Sequence, residues 1–154
     1  MKEKFFLSNS YYQGLVQNLY GGTKGSFSLF MHFFYQYGQS LVYEKELSQS
    51  FLKLYMLELQ NCEILAQVLI KMGGDNKFCS HHHKFLSGFG VDYVKDFSQI
   101  YLLDVELLEI GVLEVKNAYE KIEDKSVREM LKNVLTNKKI ELGFLMETFF
   151  KKNI

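Results

Sequence analysis

The chain has 154 residues, 47% of them hydrophobic, enough for one domain with a buried core. Lys plus Arg and Asp plus Glu total 18 each, so the formal charge is zero and no strong field draws the chain to nucleic acid or an anionic membrane. With Pro and Trp absent but 14 Phe and 10 Tyr present, the composition favours helices packed through aromatic rings.

Residues 1–22 read as an N-terminal arm and a short helix. Ser10 is placed to cap that helix, which runs to about Tyr20 and is ended by Gly21 and Gly22. The start MKEKFFLSNSYY returns to polar residues too soon for a signal peptide. A first long helix is predicted from about Thr23 to Tyr43, with Ser26, Phe30, Phe33, Tyr37 and Leu41 on one stripe and Gln36 and Gln39 on other faces. The second spans about Lys45 to Met72, with Phe51, Tyr55, Glu58, Cys62, Leu65 and Leu69 on its stripe, and stops at Gly73-Gly74-Asp75. That Gly-Gly-Asp follows a helix and lacks the Lys-Ser/Thr of a phosphate loop.

About twenty aperiodic residues follow, broken by Gly88 and Gly90. Asp96 or Ser98 then caps a third long helix with Tyr101, Val105, Leu108, Val112, Val115, Tyr119 and Ile122 on its stripe. Asp124 caps the fourth after a very short turn, and its stripe is Leu131, Leu135, Lys138, Leu142, Leu145 and Phe149. Two hairpins of long helices joined by one crossover make an all-α, antiparallel four-helix bundle over residues 23–151, within a single domain 1–154. No run reaches 18 apolar residues, so no membrane-spanning helix is expected. Cys62 and Cys79 form no disulfide framework, and a reducing cytoplasm is the expected compartment.

Two charges interrupt the apolar steps. Glu58 and Lys138 stand where core residues belong, and a buried charge needs a partner or must change protonation. Lys138 falls at the level of Glu58, and Glu141 lies one turn from Lys138 on an adjoining face. Their expected relation is a buried salt bridge. His32, beside Phe33, reads first as a packed histidine with a hydrogen-bonded ring. Cys79, His81, His82 and His83 are metal-like in composition but lack the pairwise spacing of a zinc site, so adventitious nickel or zinc binding is expected there. Cys62 reads as a small buried hydrophobe.

The segments YGGTKGSFSLFMHFFYQY, ELQNCEILAQVLIKMGGDNKF and DKSVREMLKNVLTNKKIELGFL resemble bacterial ferritin-like proteins of the bacterioferritin, rubrerythrin and manganese-catalase group, over about residues 20–150. In that family each helix pair supplies a lone Glu from its first helix and a Glu-x-x-His from its second, and the six ligands hold two iron or manganese ions. The resemblance puts Ser26 at the first Glu and Glu58 with Asn61 at the first Glu-x-x-His. Leu108 falls at the third-helix Glu, with Glu109 one residue away, and Lys138 with Glu141 at the second Glu-x-x-His. Only Glu58 keeps the family's residue.

An ammonium at a ligand position repels a metal ion. The expectation is therefore a degenerate di-metal site with no cofactor, in which Ser26, Glu58, Asn61, Lys138 and Glu141 form a polar network inside a non-catalytic structural or interaction protein. The alternative is a di-iron or di-manganese oxidoreductase or iron-handling protein using Glu58, Glu109, Glu141 and His32. Relatives commonly pair, and Phe27, Phe34, Tyr35, Phe144 and Phe150 lie off the stripes. A homo-oligomer, such as a dimer, or a complex with a related ferritin-like subunit is expected, with no nucleic-acid or membrane partner.

Overall fold

A computed structural model describes residues 10–82, 84, 85, 91 and 93–152. The arm over residues 1–9, His83, Gly88 and Gly90 lie outside the described residues. The described chain is all-helical: α1 Ser10–Gly21, α2 Ser26–Tyr43, α3 Lys45–Lys71, α4 Phe97–Lys121 and α5 Lys125–Lys152. Among the described residues there is no strand, only an isolated bridge between Cys79 and Phe85. No helix of the described chain is long and apolar enough to cross a membrane.

Local chemistry sets the boundaries. Gly22 N–H donates to Asn18 O and Gly25 N–H to Gly22 O, so residues 22–25 are consumed in a turn. The second helix therefore begins at Ser26, not at Thr23. Glu44 alone separates α2 from α3, its N–H returning to Ser40 O. Gly73 takes φ 77°, the left-handed conformation that costs glycine nothing, and Gly74 N–H closes back on Leu69 O at 2.8 Å. Asp96 caps α4 by accepting from Ser98 N–H at 2.9 Å, and Asp124 caps α5 through Val127 N–H at 2.8 Å.

α2 packs chiefly on α3, α4 on α5, and the two pairs meet mainly through α3 and α5. α1 lies against α2, α3 and α4. One apolar cluster gathers Val16, Leu19, Cys62, Leu65, Leu69, Val115, Val127, Leu131 and Val134; a second gathers Leu29, Phe33, Phe51, Leu54, Ile100, Leu108 and Leu145. Each such large side chain, fully buried, contributes about 1.5–3 kcal/mol. On α3 one cluster gives way to the other between Leu54 and Cys62, on α4 between Leu108 and Val115, on α5 between Val134 and Leu145. Glu58, Asn61, Gly111, Lys138 and Glu141, all buried, fill those intervals.

The inner faces are rotated from the expected stripes on two helices. On α2 the buried residues are Ser26, Ser28, Leu29, His32, Phe33, Gln36 and Ser40, while Phe30 and Tyr37 are half-buried and Leu41 is exposed. Gln36 thus points into the core. On α4 the buried set is Ile100, Asp104, Leu108, Gly111, Val115 and Ala118, and Tyr101, Val105, Val112 and Tyr119 form its half-buried flank. α1 clamps the crossover with side-chain amides. Gln13 Nε2 donates to Met72 O at 2.5 Å, Gln17 Nε2 to Cys79 O at 2.6 Å, and Asn18 Oδ1 accepts from His81 N–H at 2.8 Å. A Cβ at Gly21 would stand 2.2 Å from Cys79 O, so only glycine lets the crossover backbone lie this close.

Candidate functional site

The polar interval between the two apolar clusters is the most unusual chemistry in the molecule. Lys138 Nζ donates to Glu58 Oε1 at 2.7 Å, with Lys138 2% and Glu58 0% exposed. Asn61, one helical turn after Glu58 on α3, donates from Nδ2 to Glu58 Oε2 at 3.2 Å and accepts from Asn137 Nδ2 at 2.9 Å. Helical spacing explains the grouping, since residues three apart share a face. Gly111 leaves the room: a Cβ there would lie 3.3–3.4 Å from Lys138 Cδ, Cε and Nζ.

Glu141 is also fully buried, with its carboxyl group beside that of Glu58. Burial first, then the charge of Glu58, push its pKa well above the carboxylate range, against the opposing pull of Lys138. Burial is the largest influence on Lys138 and pulls its pKa down, but Glu58 and Glu141 outweigh it and leave the ammonium raised. One cation thus stands beside two carboxyl groups, and the raised pKa of Glu141 favours its protonated form. Cys62 beside them has its thiol pushed up by burial and then by Glu58, which makes it an inert core thiol. Ser26 is buried, but its hydroxyl bonds to none of the other four.

A second polar node joins α2 to α4. His32 Nε2 lies 2.7 Å from Asp104 Oδ1, Gln36 Nε2 lies 2.8 Å from the same oxygen, and the two nitrogens are 2.9 Å apart. His32 is 3%, Gln36 1% and Asp104 0% exposed. Burial raises the Asp104 pKa, opposed by the hydrogen bond and charge of His32 and by Gln36. Asp104 and Gln36 did not emerge from the sequence pattern. Asp104 does sit four residues from both Ile100 and Leu108, one residue off the stripe through Tyr101 and Val105, and that spacing is its one signal.

The alternative metal set does not assemble. Glu109 is exposed, because Leu108 is the residue turned inward and its neighbour on a helix points about 100° away. His32 binds Asp104 and Gln36 rather than standing with Glu58 and Glu141. Among the described residues no three His, Cys, Asp or Glu side chains converge as a metal ion requires. In the crossover Cys79 is buried, whereas His81 and His82 are exposed, and a Cβ at Gly14 would meet the His81 ring. Of the off-stripe aromatics, Phe34 and Phe150 are exposed, while Phe27, Tyr35 and Phe144 are half-buried. Phe27 stacks on Phe78, ring centres 4.4 Å apart.

No family model matches the chain, and no curated protein or solved structure matches it either.

Proposed function

We propose that this chain is a ferritin-like bundle that has exchanged metal chemistry at its centre for a fixed salt bridge, and that it serves as a structural or interaction subunit rather than a catalyst. The observation that carries this reading is Lys138 Nζ, 2.7 Å from Glu58 Oε1 and sealed from solvent. An ammonium neutralises a carboxylate as a metal ion would. It offers no open coordination position and no change of oxidation state, so nothing at this point can activate a substrate. The ferritin-like arrangement, two antiparallel hairpins and a crossover, is supported by the one-residue link at Glu44, the short link over residues 122–124 and the long connection over residues 72–96. Exposed Phe34, Val42, Met56, Leu102, Ile140 and Phe150 supply apolar surface for a second copy of the chain or a related subunit.

The test is elemental analysis of untagged chain, challenged with iron(II) and manganese(II), beside its Glu58→Gln variant and a double variant Lys138→Glu with Glu141→His. The natural chain is expected to hold no iron or manganese that depends on Glu58, and the double variant to gain it. About two ions per natural chain, lost on Glu58→Gln, would overturn the reading in favour of a di-metal centre.

A further inference from the structure

The outer side of α2 carries no charge. From Ser26 to Tyr43 there is no Asp, Glu, Lys or Arg, and the single His, His32, is buried. The other long helices expose charges along their length, Lys53 and Glu63 on α3, Glu109 and Lys116 on α4, Glu129 and Lys139 on α5. What α2 turns outward is a second apolar row. Phe27, Met31, Phe34, Gly38 and Leu41 follow at steps of four, three, four and three, the spacing at which one helix packs along another. None of the five is buried; Phe34 is 54% and Leu41 45% exposed.

The row has a knob and a hollow. The Phe34 ring meets Tyr55 edge-on at 5.3 Å and stacks on Phe30 at 6.0 Å, so it is held in place although exposed. One turn further on, Gly38 has nothing within 4 Å of the position a Cβ would take. It floors an open hollow of about 390 Å³ bounded by Met31, Phe34, Val91 and Tyr93. An apolar cavity of about 150 Å³ accepts benzene, so this hollow has room for a benzyl side chain.

We infer that α2 is the contact between two copies of this chain, lying antiparallel to its counterpart about a two-fold axis level with Gln36, with Phe34 of each copy seated in the Gly38 hollow of the other. An uncharged row selects an uncharged partner, because a Lys or Glu laid on it would lose its water and find no counter-ion. Aromatic and Met side chains without charge are the composition of an interface core, and the same row on a second copy supplies it. Shape sets the direction. With the axis at that level Phe34 meets Gly38 and Met31 meets Leu41, and the two-fold makes each contact twice. A parallel pair would set Phe34 on Phe34 and leave Gly38 facing Gly38 across a void. Leu102 and Leu113 are exposed too, but on α4 they stand among Glu106, Glu109 and Lys116. The inference deepens the interaction role proposed above and rests on it. The Glu58–Lys138 centre lies on α3 and α5, so the metal analysis and the measurement below can fail separately.

Sedimentation of the untagged full chain over a range of concentrations reads its mass. The natural chain is expected at twice the chain mass. Phe34→Glu, which puts a charge on the seam, and Gly38→Phe, which fills the hollow, should each halve it. Gly38→Phe enters open space, so the fold has no reason to fail, and circular dichroism verifies the helix content of every variant. The double variant Phe34→Ala with Gly38→Phe exchanges knob and hollow and should restore the dimer. Leu113→Glu, on α4, should leave it intact. A natural chain that is monomeric at every concentration would overturn the inference, as would a dimer that survives Phe34→Glu or is lost on Leu113→Glu. A double variant that stays monomeric while folded would overturn the antiparallel register.

Discussion

Replacing Lys138 by Met removes the cation that pairs with Glu58 and leaves Glu58 buried at 0% exposure. Solvent screening gives no discount at this burial, and stranding one member of such a pair costs about 3–5 kcal/mol. For a chain of this length each kcal/mol moves the thermal midpoint by about 2–4 °C, so Lys138→Met should lower it by roughly 6–20 °C. The double variant Lys138→Met with Glu58→Leu removes both charges. It still strands the Asn61 Nδ2 group that now reaches Glu58, which costs about 1–3 kcal/mol, so it should recover much of the loss without reaching the natural chain. The pH dependence separates this cause from simple misfit. Without Lys138 a carboxylate buried in this layer has no cation beside it, and taking up a proton relieves that cost. The deficit should then be smallest in acid and grow as pH rises. Urea unfolding followed by helical circular dichroism at several pH values reads both effects. Equal destabilisation by the single and double variants, with no relief in acid, would refute the argument.

Glu141 carries a folded-state pKa raised by burial and by Glu58, so it subtracts stability increasingly as pH climbs above its unfolded value. Glu141→Gln, which keeps the shape of the protonated acid, should stabilise the chain at pH 7 and lose that advantage below about pH 4.3; urea midpoints that fall at pH 7 would contradict the assignment. Alanine in place of a helical glycine gains about 1 kcal/mol where space allows. Gly143→Ala, with nothing within 4 Å of the new Cβ, should show that gain, whereas Gly111→Ala should not, because Lys138 lies 3.3–3.4 Å from it and is held by Glu58. Gly21→Ala drives a Cβ into the Cys79 backbone and should release the crossover. Thiol labelling mapped by mass spectrometry is then expected at Cys79 but not at Cys62, and unchanged protection of Cys79 would refute the clamp.

The starts of α4 and α5 and the end of α3 were legible because each has a local cause, Asp96 and Asp124 as caps and Gly73 as a left-handed stop, whereas the start of α2, which has no side-chain cap, was not. Glu58 and Lys138 were legible because a charge within an apolar repeat is conspicuous. Asp104 and Gln36 were not, because periodicity rewards apolar residues. The stripe through Tyr101, Val105, Val112 and Tyr119 looks more like a core than one containing Asp104 and Gly111. Rings that half-cover a flank outweighed polar groups that occupy the centre. A narrow apolar stripe on α5 puts Glu141 on an adjoining face. The inner face of α5 is wider and takes in Val134, Lys138, Glu141 and Leu145.

The Lys138–Glu58 bond spans 80 residues of sequence and joins the two helix pairs. α2 can close on α3 across a single residue, and α4 on α5 across three, with little entropy lost to loop closure. Both charges therefore stay hydrated while each pair forms, and must shed their water together when the pairs dock. Docking is then the step that carries the electrostatic cost. It also checks register, because a pair that slides by one helical turn would leave an ammonium and a carboxylate facing apolar side chains, at a cost of about 3–5 kcal/mol.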